Sequence, residues 1–176
     1  MVSICVPIYG VEQFIKRCAV SLFQQSYEDI EYIFVDDCSP DSSIELLKEV
    51  LSHYPKSISK VKIIKHDHNR GLSAARNTSI SASHGEFLLF IDSDDWVDKD
   101  FVEKLINKQI ERDFDVVSSA CLEHKINTNK VIIPADLSPK ENCLKILSRT
   151  RSSAIWGKLI RKSIFIENTL YCMEGV

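Results

Sequence analysis

Asp92-Ser93-Asp94-Asp95 packs three carboxylates into four consecutive positions. Directly ahead of them, Phe87 to Ile91 is apolar without period-two alternation, the pattern of a strand buried on both faces. Extended chain alternates its side chains, so Asp92 and Asp94 are expected to point one way and Ser93 and Asp95 the other. Carboxylates about 4 Å apart repel by roughly 4 kcal/mol at an effective dielectric near 20, and a divalent cation between them reverses that cost. The donors are hard oxygens, with no His or Cys inside the motif, which favours Mg²⁺ or Mn²⁺ over Zn²⁺. Such an ion keeps waters and takes phosphate oxygens. The competing reading is structural: acids that cap a following helix and favour its N-terminal dipole.

A second apolar run, Tyr32 to Val35, also ends in acids, Asp36-Asp37. The elements that would carry these groups alternate. Val2 to Ile8 reads as a strand closed by Gly10, and Val11, Phe14, Ile15, Cys18 and Leu22 recur at helical spacing. Ser39-Pro40-Asp41 reads as a helix start, with Ser39 as cap, leading to the apolar face Ile44, Leu47, Leu51, Tyr54. Val61 to Ile64 is a third strand, and His66 to Gly71 a polar loop whose His66 and His68 lack a third ligand for a metal. A helix opening at Leu72, the acid-ended strand, a helix over Phe101 to Ile106 and a strand over Phe114 to Ser118 follow. The alternation predicts an α/β fold, a mostly parallel sheet with right-handed crossovers and helices on both faces. Ligands of such sheets sit outside the carboxyl ends of the strands, where the acids are. After Ala120 the rhythm changes to a short strand at Val131 to Pro134, an amphipathic helix from Ser138-Pro139 through Leu144 and Leu147, and a compact apolar run at Ile155 to Ile160.

The chain of 176 residues is expected to form one domain, a sheet-forming part over about 1–120 and an elaboration over about 121–176. A formal net charge of -3 argues against nucleic acid as a partner. Cys5, Cys18, Cys38, Cys121, Cys143 and Cys172 show no metal spacing and read as reduced thiols of a cytoplasmic protein, with Cys5 and Cys121 in the core. The strand-like start predicts no signal peptide, and no apolar run is long enough to span a bilayer, so any peripheral membrane association at the inner face would lie outside this chain. The dinucleotide Gly-x-Gly-x-x-Gly loop and the Walker-A loop are both missing, so phosphates must be held another way.

Val2 to Tyr9, Val35 to Ser39, Asn69 to Ser73, Ala75-Arg76-Asn77, and Gly85-Glu86 through Asp92 to Trp96 together resemble the family 2 glycosyltransferases with the GT-A fold, and Trp156-Gly157-Lys158-Leu159 resembles a further family element. The resemblance implies a GT-A, Rossmann-like, mostly parallel sheet flanked by helices, with a smaller C-terminal elaboration. It implies metal-assisted transfer, with inversion, from a nucleotide-sugar donor, usually a UDP-sugar, to a glycan or lipid-linked acceptor, as in surface polysaccharide or glycan synthesis. By matching positions, Pro7, Tyr9 and Glu12 would line the nucleoside pocket, Asp37 would bind base or ribose, and Arg76 would lie near the nucleotide. Asp92 and Ser93 would contact the nucleotide, and Asp94 with Asp92 would hold Mn²⁺ or Mg²⁺ on the diphosphate. The chain departs from the family pattern at Gly10, where Asn is usual, and at Cys38 and Ser79, where Gly is usual.

The catalytic base remains unassigned. In relatives the Trp-x-Lys-Leu element precedes a Glu-Gly and then a Glu-Asp pair whose Asp is the base; here Glu174-Gly175 matches the first, and the base is expected beyond Val176. Other readings stay open: a non-catalytic nucleotide-sugar binding module, or a metal-dependent phosphohydrolase, which would carry its Asp-x-Asp after the first strand rather than the fourth. Trp156 reads as core or acceptor platform, and Lys145, Arg149, Arg151, Lys158, Arg161 and Lys162 as a solvated face.

Overall fold

The structure, a computed structural model, describes residues 1–125, 128–132 and 154–174. The helix expected from Ser138 lies outside them. In chain order the elements are β1 (Val2–Ile8), α1 (Ile15–Phe23), β2 (Ile30–Asp36), α2 (Ser43–Ser52), α3 (Pro55–Ile58), β3 (Val61–Lys65), α4 (Leu72–Ala82), β4 (Phe87–Phe90), α5 (Phe101–Arg112), β5 (Val116–Ser118), β6 (Cys121–Lys125), β7 (Thr128–Ile132), β8 (Lys158–Arg161) and α6 (Ser163–Glu167).

Six strands form one sheet in the order β3-β2-β1-β4-β8-β5. β1 pairs in parallel with β2 and β4, and β2 with β3, whereas β8 runs antiparallel to both β4 and β5. The connection reverses direction after β1, going first to β2 and β3 on one side and later to β4 on the other, and a crevice opens at such a switch point. Alternation within β1 sorts the layers. Val2, Ile4, Val6 and Ile8 join the large core with α1, α2 and α5, while Cys5 packs with Leu88, Phe90 and Ile80 of α4 on the opposite face. Cys121 is not core: it lies half-buried in the separate β6-β7 hairpin. The edge strand β3 carries exposed Lys62 and Lys65, which discourage pairing with another chain.

β4 starts where Gly85 crosses β1. A Cβ on Gly85 would stand 2.5 Å from Ser3 Oγ and 2.7 Å from Ser3 N, so only glycine fits there. At the far side, Arg161 of β8 is no solvated cation: its guanidinium bonds Glu86 (2.6 Å), Asp115 (3.0 Å) and Asp113, tying β4, β8 and the approach to β5 together.

α2 begins at Ser43 rather than just after Ser39. Asp41 takes the capping role. Its carboxylate accepts from Ser43 N (3.1 Å), Ser43 Oγ (2.5 Å), Ser39 Oγ (2.8 Å) and Glu12 N (2.9 Å). Burial alone would raise the Asp41 carboxyl, but the Ser43 hydroxyl, the Glu12 N–H and Ser39 outweigh it and hold it down to about 2. A depressed carboxyl stabilises the fold fully above its unfolded value of about 3.9, and that part disappears as pH falls towards 2. Asp41→Ala is therefore expected to cost about 1 kcal/mol at pH 7, with the gap between parent and variant closing between about pH 4 and pH 2, read from urea midpoints across that range.

Candidate functional site

β1 delivers Pro7 and Ile8 to the carboxyl edge, and the chain leaves the sheet at Tyr9, which is 50% exposed, and Gly10. The turn is pinned to the start of α2: Gly10 N donates to Ser39 Oγ (2.8 Å) and Val11 N to Ser43 Oγ (3.0 Å). Glu12 belongs to that seam, its carboxylate accepting from Ser42 N at 3.2 Å.

β2 delivers Asp36 and Asp37, both 3% exposed. Asp37 Oδ1 accepts from His66 Nδ1 (2.6 Å) and Arg70 N (2.9 Å), and Oδ2 from Gly71 N (2.7 Å). Burial would raise this carboxyl; the Arg70, His66 and Gly71 bonds overcome that and hold it below the ordinary aspartate range. Asp37 thus organises the 66–71 loop as well as facing the cleft. His66 is buried beneath that loop, whereas His68 is exposed and pairs with Asp67, so the two do not converge on a metal.

Two departures from the family pattern resolve in backbone terms. Gly10 stands at φ +66°, the left-handed region that asparagine also tolerates. Cys38 stands at φ +60°, where glycine is free of strain and an ordinary side chain is held at a cost of about 1–3 kcal/mol. Cys38→Gly is expected to raise stability by about 1 kcal/mol with nucleotide affinity unchanged, measured by urea unfolding and titration calorimetry.

α4 starts behind Gly71, at φ +87°, and three of its successive residues hold different parts of the site. Arg76 Nη2 bonds Asp92 Oδ1 (2.9 Å), Asn77 pairs with the backbone of Cys172 (2.7 and 2.9 Å), and Thr78 Oγ1 meets His66 Nε2 (2.9 Å). Arg76 Nε is buried with no hydrogen-bond partner among the described residues.

The acid motif itself is a turn. β4 ends at Phe90, and Asp95 N donates back to Asp92 O at 3.0 Å, so strand alternation does not carry past Ile91. Ser93 is buried and Asp94 and Asp95 are exposed. Partial burial and the Asp94 and Asp92 charges push Asp95 upward. The Cys18 thiol behind the turn is raised to about 12, first by burial and then by Asp95, Asp94 and Asp92, which makes it inert. Trp96 is held against α1 by Arg17, whose guanidinium carbon lies 3.1 Å from the ring centroid.

Among the described residues no group of three or more His, Cys, Asp or Glu side chains is placed to enclose a metal. The donor set still suits Mg²⁺ or Mn²⁺: the Asp94 carboxylate has no partner among the described residues, Asp92 lies beside it, and such ions are commonly held by one or two carboxylates plus phosphate and water.

These pieces enclose a cleft of about 360 Å³ at the edge where β1 and β4 part. Pro7, Tyr9, Asp37, Asp92, Ser93 and Asp94 line it; Glu12 and Arg76 are not part of the lining, Glu12 bonding Ser42 N and Arg76 bonding Asp92. Ile8, Val11, Asn69, Gly71, Leu72 and Ala75 complete the wall. Asn69, Gly71, Leu72 and Ala75 fall in the stretches that carry the family resemblance, and Leu72 is an apolar residue left 50% exposed at a helix start.

A profile of the family described as "Glycosyl transferase family 2" matches residues 3–168. The chain belongs to glycosyl transferase family 2. Among similar proteins is "Putative glycosyltransferase EpsH" of Bacillus subtilis (strain 168), 35% identical over 170 residues, covering 93% of this chain and 47% of the relative. The S. aureus TarS 1-349 structure in complex with UDP-GlcNAc superposes with a TM-score of 0.82 at 23% identity, over 99% of this chain and 49% of that one. The mannosyltransferase PcManGT from Pyrobaculum calidifontis, in complex with GDP-Man and Mn²⁺, gives 0.68 at 17% identity, over 97% and 46%. The fold is the GT-A fold, a mixed, mostly parallel sheet flanked by helices. The chain spans about half the length of the first curated relatives it matches. No helix of the described residues is long and apolar enough to cross a membrane.

Proposed function

We propose that this family 2 chain binds a UDP-sugar in the cleft between β1 and β4 and transfers the sugar, with inversion, to a glycan or lipid-linked acceptor in surface polysaccharide synthesis. The observation that carries the reading is the convergence of Asp37 on one wall with Asp92 and Asp94 on the other, at the switch point of the sheet. The UDP-GlcNAc complex of TarS and the GDP-Man and Mn²⁺ complex of PcManGT, both of this fold, support a nucleotide-sugar donor and a metal.

Each group has a task. Tyr9 and Pro7 offer a face for the base, and Asp37 an acceptor for a base N–H or ribose O–H. Asp92, steadied by Arg76, faces the nucleotide, and Asp94 with Asp92 would hold Mn²⁺ or Mg²⁺. Bound there, the ion would neutralise charge gathering on the leaving diphosphate. Glu174 carries no assigned role as base: its oxygens are engaged by Asn77 Nδ2 (3.1 Å) and Arg70 Nη2 (3.4 Å).

The test is thermal unfolding with UDP and UDP-sugars, with Mn²⁺ or with chelator. UDP plus Mn²⁺ at about 100 times its dissociation constant should add roughly 2.7 kcal/mol. Equal shifts with metal and with chelator would remove the metal from the reading, and no shift with any nucleotide would overturn it.

A further inference from the structure

We infer that His66, held by Thr78, is a positioning residue for nucleotide recognition, because it sets the one acceptor position of Asp37 that remains for the ligand. The inference rests on the nucleotide reading of the cleft and adds to it a residue that does not itself line the cavity.

An ionised carboxylate donates nothing and offers about four acceptor positions. On Asp37, His66 Nδ1 and Arg70 N occupy Oδ1, and Gly71 N occupies one position of Oδ2. The position left is on Oδ2, and Asp37 is part of the cleft wall. A nucleoside N–H or O–H placed there completes the set.

The His66 ring fixes this arrangement through its other nitrogen. Because Asp37 can only accept, Nδ1 carries the hydrogen, and Nε2 lies 2.9 Å from the Thr78 hydroxyl, which can serve it as donor or acceptor and so holds the ring in place. The ring is 5% exposed and the Asp37 side chain 4%, so water does not substitute readily for either bond. Thr78 sits on α4 two turns after Leu72 and Gly71, which themselves border the cleft. The Thr78-His66-Asp37 line therefore ties the end of β2 to α4, whose first turn also lines the pocket. A solvated loop histidine would make none of these bonds, and His68, two residues on, shows that alternative.

The experiment measures uridine and UDP affinity by titration calorimetry, with Mn²⁺ or chelator, for the unaltered chain and for His66→Phe, His66→Asn and Thr78→Val, with thermal unfolding of each. His66→Phe fills the ring space without a donor and should weaken uridine and UDP alike by about tenfold, leaving the metal-dependent gain of UDP unchanged. His66→Asn places an amide N–H near the position of Nδ1 and should stay within about threefold of the parent. Thr78→Val should weaken uridine several-fold with the fold retained, and it decides the matter together with His66→Asn if the phenylalanine variant does not fold. Parent-like uridine binding by His66→Phe or by Thr78→Val, an asparagine variant as weak as the phenylalanine one, or a loss confined to UDP would each overturn the inference. An unaltered chain that binds neither uridine nor UDP overturns the proposed function and this inference with it, whereas tight parental binding that His66→Phe leaves intact overturns the role of His66 alone.

Discussion

Asp94→Ala is expected to abolish the metal-dependent part of UDP binding and to slow any sugar transfer by about 10²–10³-fold, the scale of losing one electrostatic partner of a developing negative charge. The unliganded protein should melt at or slightly above the parental temperature. Asp94 is exposed, accepts no bond among the described residues, and adds repulsion to Asp95, whose carboxyl it helps push upward. Removing it costs the fold nothing on its own account. Calorimetry of UDP with Mn²⁺ and with chelator, beside a thermal melt, separates the two effects. A marked loss of unliganded stability would instead return the motif to the role of a helix cap.

Asp37→Ala is expected to behave in the opposite manner, weakening the fold and the ligand together. Its carboxylate satisfies two backbone N–H groups and a buried imidazole, and alanine leaves all three without an acceptor. A cost of about 2–4 kcal/mol follows from stranding buried donors, of which His66 is the least able to find water. Uridine and UDP should lose about tenfold or more in affinity, by equal factors, since the base end is shared. Urea midpoints and titrations with both ligands check this. Metal affinity that falls while uridine binding holds would place Asp37 at the wrong end of the nucleotide.

Where physical signals were local, they were legible. Buried strands announced themselves as unbroken apolar runs, and β1, β2, β3 and β4 lie where those runs predict; α1, α2 and α5 follow their apolar spacing. Errors gathered where two local signals compete or where the partner is distant. Ser39 looked like a cap, but Asp41, with two oxygens, outbids it for the first-turn donors. Alternation through Asp92 to Asp95 failed because the chain turns there, a choice made by the Asp92-Asp95 backbone bond rather than by propensity. Arg161 could not be told from a solvated cation, since its acids, Glu86, Asp113 and Asp115, are scattered along the chain. The cleft shows the same division. The acids were visible as strand-end carboxylates, whereas Asn69, Gly71, Leu72 and Ala75, present in the family-like stretches, reach the wall because the 66–71 loop folds back onto Asp37 and leads into α4.

The place of β8 between β4 and β5 has a consequence for the order of events as the chain is made. β4 finds β1 as soon as residues up to Phe90 are available, but its other edge, Phe87-Leu88-Leu89, pairs with Leu159 to Arg161. At about 5–20 residues per second, that partner follows roughly 4–14 s later. For that interval a short, uncharged, aromatic-rich edge stands open, the kind of template on which a second nascent chain can grow. The four-residue length of β4 limits the hazard, and the charges that flank it, Glu86 before and Asp92 after, oppose alignment of identical copies. A chain interrupted ahead of Lys158 keeps that edge indefinitely, and should aggregate even though every residue of the cleft is present.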